Sequence, residues 1–320
     1  MEKMTSKERV QRAIRFQKPD RMPVVMFNRD LEEGDIIICD VVQHFGGENK
    51  DTSEFGFVWD NLDKTMGQPK EALIEDMDEF DSYVFPDPKR PDRFEHAFSL
   101  MERYGNEKYY VAALALSGFT IMTFLRGFED TLCDLCSEPE VLEPLADGVF
   151  GFEEQVIREA AGKGFSAVAF FDDWGTQDNL MISPKLWREF FKPRYKKQFD
   201  LCHSLGMDVY FHCCGYIQDI IGDFIELGVD MLNISQPNLF DMEKLGREFG
   251  GKVCFICPVS YQTTSISGTR ADIFRDVKAL RENLGCYNGG LIGYVEEYSS
   301  MGMSEENYQA CKDAFFGRPE

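Results

Sequence analysis

The sequence predicts a (β/α)8 TIM barrel occupying residues 1–320 as a single domain, on three observations. Short apolar runs alternate with amphipathic stretches, glycines stand just ahead of several of these runs, and polar residues gather where the runs end. Short apolar runs separated by helical segments are the mark of a parallel sheet with crossover helices. The runs are MPVVMF (22–27), YYVAALAL (109–116), SAVAFFD (166–172), DVYFHC (208–213), DMLNIS (230–235), KVCFIC (252–257) and GLIGYV (290–295). Between them lie helical patterns such as SEPEVLEPLADGVFGFEEQVIREAAGKG and SPKLWREFFKPRYKKQFDLCHSLG. Gly164, Gly206 and Gly228 sit where a helix would end and the next strand begin. The eighth strand is expected within the poorly periodic stretch 28–105. That stretch, rich in Asp, Gly and Pro, reads as an insertion after the first strand, able to form a lid over the ligand-binding end. A doubly wound open sheet is the alternative fold, but no GxGxxG follows an early strand.

Composition narrows the function. A chain of 320 residues with 43% apolar residues buries a large core without disulfide staples. The formal charge of -22 argues against a nucleic-acid surface, which needs phosphate-neutralising Lys and Arg. The opening MEKMTSKERVQRAIRF reads as an amphipathic helix rather than an export signal. No segment approaches the roughly 20 apolar residues that span a bilayer. A cytoplasmic location without membrane attachment is therefore expected, with the ten cysteines reduced. Cys133 and Cys136 form a CxxC, but within an acidic helical stretch and without a second such pair, so no metal or redox role is assigned to them.

Barrel enzymes place reacting groups where strands end. Asn28 and Arg29 follow the first run, Asp172 and Asp173 the third. His212 and Cys214 close the fourth, Ser235 and Gln236 the fifth, Glu296 and Glu297 the last. The sharpest signal is DVYFHCCG. Strand side chains alternate faces, so His212 and Cys214 project together while Cys213 projects oppositely. An imidazole and a thiolate so placed suit zinc, and Gly215 lets the backbone turn away at once. His44, His96 and His203 fall in a loop or on helices, where ordinary surface or core roles are expected. Cys202, Cys254 and Cys257 look like buried small hydrophobes.

FHCCGYIQDIIGDFIELGVDMLNISQP, with FFDDWGTQDNLMISPKLWREFFKPRYK before it, resembles the uroporphyrinogen decarboxylase superfamily. It is most similar to that superfamily's corrinoid-dependent zinc methyltransferases, the methylcobamide:coenzyme M methyltransferase-like and O-demethylase-like members. KPDRMPVVMF, FGFVWD, FPDP, LRGFEDTL, FICPVSYQTT and NGGLIGYVEEY extend the resemblance over nearly the whole chain. It implies a barrel that binds zinc through an H-x-C pair, matched by His212 and Cys214, and a later cysteine. The later cysteine is absent here: the matching place reads Tyr294-Val295-Glu296-Glu297, and Cys286 comes several residues too early. Glu297 is taken as the third ligand and a catalytic group, with Glu296 and Cys286 as the other possibilities.

The resemblance also implies cobalamin carried by a separate small corrinoid-binding protein docked over the barrel mouth. Asp173 is assigned as proton handler or partner of His212, and Asn28, Asp172, Gln236 and Tyr294 as lining the substrate pocket. Acidic strand ends favour a neutral or cationic methyl donor, an aryl methyl ether or a methylated amine. The Arg-Gln-Ala-Gly-Arg motif of uroporphyrinogen decarboxylases is missing, FNRDLEEGD standing in its place. A metal-independent decarboxylase, and a non-catalytic subunit of a methyltransferase complex, are the rival readings.

Overall fold

The apolar runs form parallel strands because their side chains are needed on both faces: one set fills the barrel lumen and the alternate set meets the helices. The computed structural model describes residues 4–42, 52–60 and 68–319. The strands are β1 (Val24–Phe27), β2 (Ile36–Asp40), β3 (Tyr109–Leu116), β4 (Ala167–Phe171), β5 (Asp208–Cys213), β6 (Met231–Ile234), β7 (Cys254–Pro258) and β8 (Leu291–Glu296). They pair in sequence order, all parallel, and β8 closes on β1 to complete an eight-stranded barrel. The lumen is packed by Val25, Tyr109, Val111, Ala167, Tyr210, Met231, Ile256 and Ile292. Their neighbours Val24, Tyr110, Val168, Val209 and Phe211 belong to the larger core between sheet and helices.

The eighth strand is Ile36–Asp40, within the stretch where it was expected. Its apolar run is too short for period alone to separate it from a turn of buried helix. Because β2 follows β1 so soon, the long non-repeating segment lies after the second strand rather than the first. Its described part packs outside the barrel: Phe55 meets Phe152 edge-on at 5.1 Å between ring centroids, and Phe57 meets Phe124 at 5.4 Å. Phe85 lies where a Cβ at Gly148 would otherwise sit. His44 falls outside the described residues. The expected glycine punctuation is present. Gly228 ends the helix Gln218–Leu227 in the left-handed conformation (φ 89°), its N–H bonding Ile225 O. Among the described residues no helix is long and apolar enough to cross a membrane.

The N-terminal helix Ser6–Ile14 closes the end of the barrel opposite the mouth. Val10, Ala13 and Ile14 continue the lumen packing, and Gly290, just before β8, donates to Ala13 O at 2.9 Å. Asp35, fully buried ahead of β2, clamps this plug. It accepts from Arg9 Nη1 at 2.7 Å, Arg21 Nη1 at 2.7 Å and Val24 N at 2.9 Å. A carboxylate removed from between two guanidinium groups leaves Arg9, 3% exposed, without its buried counter-charge. Asp35→Ala is therefore expected to lower the unfolding free energy by about 3–5 kcal/mol in urea titrations. Asp92→Ala, which breaks an exposed pair with Arg90, should leave the urea midpoint within experimental scatter.

Candidate metal centre

β4 and β5 end side by side, and the chain beyond them is stitched strand to strand. Asp172 N donates to His212 O at 3.1 Å and Gly175 N to Cys214 O at 3.2 Å. Past these bonds the two turns cross at Gly175 and Gly215. Gly215 has a φ of 80°, and a Cβ at either glycine would fall on the backbone of the other. Gln236 Oε1 accepts from Gly215 N and holds the turn from the β6 side. The crossing brings Asp173, from the end of β4, against the ligand pair from β5.

Asp173, His212 and Cys214 are the group of potential ligands that converges among the described residues, one donor atom from each lying within 4.8 Å of the others. His212 Nε2 is 3.7 Å from Cys214 Sγ and 3.9 Å from Asp173 Oδ1. The ring nitrogens have fixed roles. Asn233 donates through Nδ2 to Ile256 O at 2.9 Å, which turns its Oδ1 toward His212 Nδ1 at 2.7 Å. Nδ1 must then carry the proton, and the Nε2 lone pair faces the thiol and the carboxylate. Tyr210 OH donates to the same Asn233 Oδ1 at 3.0 Å, and Phe171 covers the imidazole at 4.8 Å between ring centroids.

The arrangement fits a zinc ion. Bonds of about 2.0–2.3 Å in a tetrahedron separate donors by about 3.3–3.8 Å, close to the spacing seen here. A carbonyl or carboxylate oxygen behind Nδ1 is the usual orienting partner of a zinc-binding imidazole, and the Asn233 amide supplies that oxygen. Without a cation the Cys214 thiol keeps its proton: burial first, and then the nearby Asp173 charge, push it up to about 12. Hydrogen bonds from Ser235 and Tyr261 pull the other way. A divalent cation between sulfur and carboxylate reverses that preference and favours the thiolate.

The other expected residues separate. The carboxylate that comes together with His212 and Cys214 is that of Asp173; Glu297 is not in that group among the described residues. On β8, Tyr294 belongs to the lumen, so the alternation of the strand places Glu296 on the same inner face and Glu297 on the other. Cys286 precedes β8, at the end of the barrel away from the mouth, and is exposed. Asp172 does not line the pocket. Its partner face is the outside of the sheet, where it is fully buried and accepts from Phe119 N at 2.9 Å, Thr120 N at 2.8 Å, Thr120 Oγ1 at 2.8 Å and the Tyr195 hydroxyl. It thereby caps the helix Gly118–Arg126 and anchors the turn that presents Asp173. Burial pushes the Asp172 carboxyl up to about 8 against those four donors. Tyr294 stacks on Phe27 at 5.7 Å and donates to Glu296 at 3.2 Å. Asn28 is exposed at the tip of β1 with φ 60°. Cys133 and Cys136 are exposed on the helix Phe128–Ser137, and His203 pairs with Asp230 at 2.9 Å.

Sequence reasoning missed Asn233, Tyr261 and Tyr298. A lone Asn inside the otherwise apolar DMLNIS was a readable sign, because a buried amide needs partners. Tyr261 and Tyr298 lie in turns after β7 and β8, and nothing in their local sequence marks them.

Residues 63–291, well over half of the chain, match the uroporphyrinogen decarboxylase (URO-D) family. The chain belongs to that family. Its fold is similar to that of a methyltransferase from Methanosarcina mazei, with a TM-score of 0.72 and 15% identity over 98% of each chain. Two sugar epimerases are more distant. A D-psicose 3-epimerase has a TM-score of 0.47 and 10% identity over 89% of this chain and 91% of its own. A 3-keto-D-glucoside 4-epimerase from E. coli has a TM-score of 0.44 and 16% identity over 77% and 95%. No curated protein matches the sequence.

The glycine crossing is open to a direct test. Gly215→Ala adds a methyl where Gly175 backbone stands and forces a left-handed non-glycine residue, an expected loss of about 3–5 kcal/mol by thermal or urea unfolding. Gly162→Ala, also at positive φ but with nothing within 4 Å, should lose only about 1–2 kcal/mol.

Proposed function

We propose that this URO-D family member is a zinc-dependent methyltransferase. It would move a methyl group between a small methylated donor, of the aryl methyl ether or methylamine type, and a corrinoid protein or thiol acceptor. The observation that carries the reading is the convergence of Asp173 Oδ1, His212 Nε2 and Cys214 Sγ at the barrel mouth, with the imidazole tautomer set by Asn233. Family membership and the name of the Methanosarcina mazei fold relative support it. Three protein donors leave one position of a tetrahedron open for a reactant.

Asp173, His212 and Cys214 would hold the ion, which supplies Lewis acidity toward a leaving heteroatom or lowers the pKa of an acceptor thiol. The protein's own groups do the positioning. Asn233 keeps Nε2 available, and Ser235 and Tyr261 donate to the Cys214 sulfur and temper its charge. The Phe171 ring against His212 shields one side of the site from water. In this reading cobalamin arrives on a partner protein, and O-demethylation or N-demethylation is the overall reaction.

A decarboxylase of the kind that names the family binds carboxylate-rich substrates and needs free cations at the mouth. Arg29, at the tip of β1, is held by Glu305 at 2.7 and 2.8 Å and stacked over Tyr308. Protein purified without chelators should contain close to one zinc per chain by elemental analysis, and His212→Ala should abolish it. Asn233→Ala should weaken zinc binding by about 10–100-fold in competition with a chromogenic chelator. Zinc-free wild-type protein, or full turnover in excess chelator, would overturn the reading in favour of a metal-independent enzyme. A His212→Ala variant that sustains cellular function unchanged would place the chain among non-catalytic subunits.

A further inference from the structure

Among the described residues Glu296 has no counter-charge. It ends β8 on the lumen face, half-buried, and its oxygens meet only hydroxyls: Tyr294 OH at 3.2 Å and the hydroxyl of Tyr298. No Lys, Arg or His among the described residues forms an ion pair with it. Burial raises its carboxyl above the ordinary range, with only those two hydroxyls opposing. A carboxylate in this setting is costly unless a cation joins it.

The surfaces around it are aromatic. Tyr294 stacks on Phe27 at 5.7 Å. Tyr298, bonded to Glu296, packs on Tyr261 at 5.1 Å, and Tyr261 in turn is hydrogen-bonded to the Cys214 sulfur. A continuous line of contacts therefore runs from Glu296 through Tyr298 and Tyr261 to the metal centre. Ring faces attract cations through their quadrupoles, and aromatic walls joined to one carboxylate are a recurring way to bind alkylated ammonium groups.

We infer that the mouth of this barrel selects a positively charged methylammonium donor, read by Glu296 and the rings of Tyr261, Tyr294 and Tyr298, over a neutral aryl ether. The inference rests on the methyltransferase reading and narrows its substrate class. The charges agree with it: zinc held by Asp173 and the Cys214 thiolate is formally neutral, so it does not offset the Glu296 carboxylate at the mouth. A quaternary ammonium donor also leaves as a neutral amine, which keeps the electron pair of the broken C–N bond while the methyl group passes to the acceptor. No acid is then required at the leaving nitrogen.

The test is calorimetric binding of choline, of its neutral isostere 3,3-dimethylbutan-1-ol, and of anisole to wild-type protein with and without zinc. Choline should bind about tenfold more tightly than the isostere, the size of effect expected of one carboxylate with aromatic faces. Glu296→Gln, which keeps an oxygen for the two tyrosine hydroxyls, should erase that preference without lowering the melting temperature. Tyr261→Leu should reduce it several-fold. Equal binding of choline and isostere by the wild type, or tighter binding of anisole than of choline, would overturn the inference. The two readings fail separately. Choline preference in a protein that holds no zinc and transfers no methyl group keeps the cation site and removes the methyltransferase. Demethylation of anisole with no cation preference does the reverse.

Discussion

The hydrogen bond between Asn233 and His212 is the constraint from which the centre follows. An imidazole can offer either nitrogen, and a free histidine at a strand tip samples both tautomers and several ring orientations. Here β6 lies next to β5 in register, with His212 opposite Asn233. The Asn233 amide cannot rotate without losing Ile256 O on β7. Three adjacent strands thus decide which nitrogen of one side chain can accept a metal, and the decision is made by backbone pairing deep in the barrel rather than by the mouth.

The second constraint is steric. The turns after β4 and β5 approach so closely that neither tolerates a Cβ at the crossing, Gly175 against Gly215. This proximity lets a carboxylate from one strand share a site with an imidazole and a thiol from the next. Asp172 makes the approach durable: saturated by the N-terminus of the helix Gly118–Arg126 and by Tyr195, it pins the β4 turn from outside. Two consecutive aspartates therefore have opposite duties. One is buried and structural, and its neighbour, 37% exposed, faces His212 and Cys214.

Electrostatics connects centre and mouth. The Asp173 carboxylate beside Cys214 and the Glu296 carboxylate with hydroxyl partners are both suited to positive charge. On the proposed reading that charge is supplied by zinc at the centre and by a cationic donor at the mouth. Asp35, by contrast, carries its own two arginines at the closed end of the barrel, where the need is stability rather than binding.

Much of this was legible in the residues alone. Periodicity and glycine punctuation determine the barrel, because a strand buried on both faces must be apolar and a helix must end before it. The alternation of DVYFHC determines that His212 and Cys214 share a face, since that is a property of any extended chain. Tertiary structure alone decided which carboxylate stands beside His212 and Cys214. Asp173 and Glu297 are equally good carboxylates in sequence, and only the closure of β4 against β5, with β8 across the lumen, sets which one arrives. The same holds for Asp172, whose burial depends on a helix some fifty residues earlier, and for the tyrosines near Glu296. Local sequence encodes direction along a strand; distance between strands is a product of how the barrel closes.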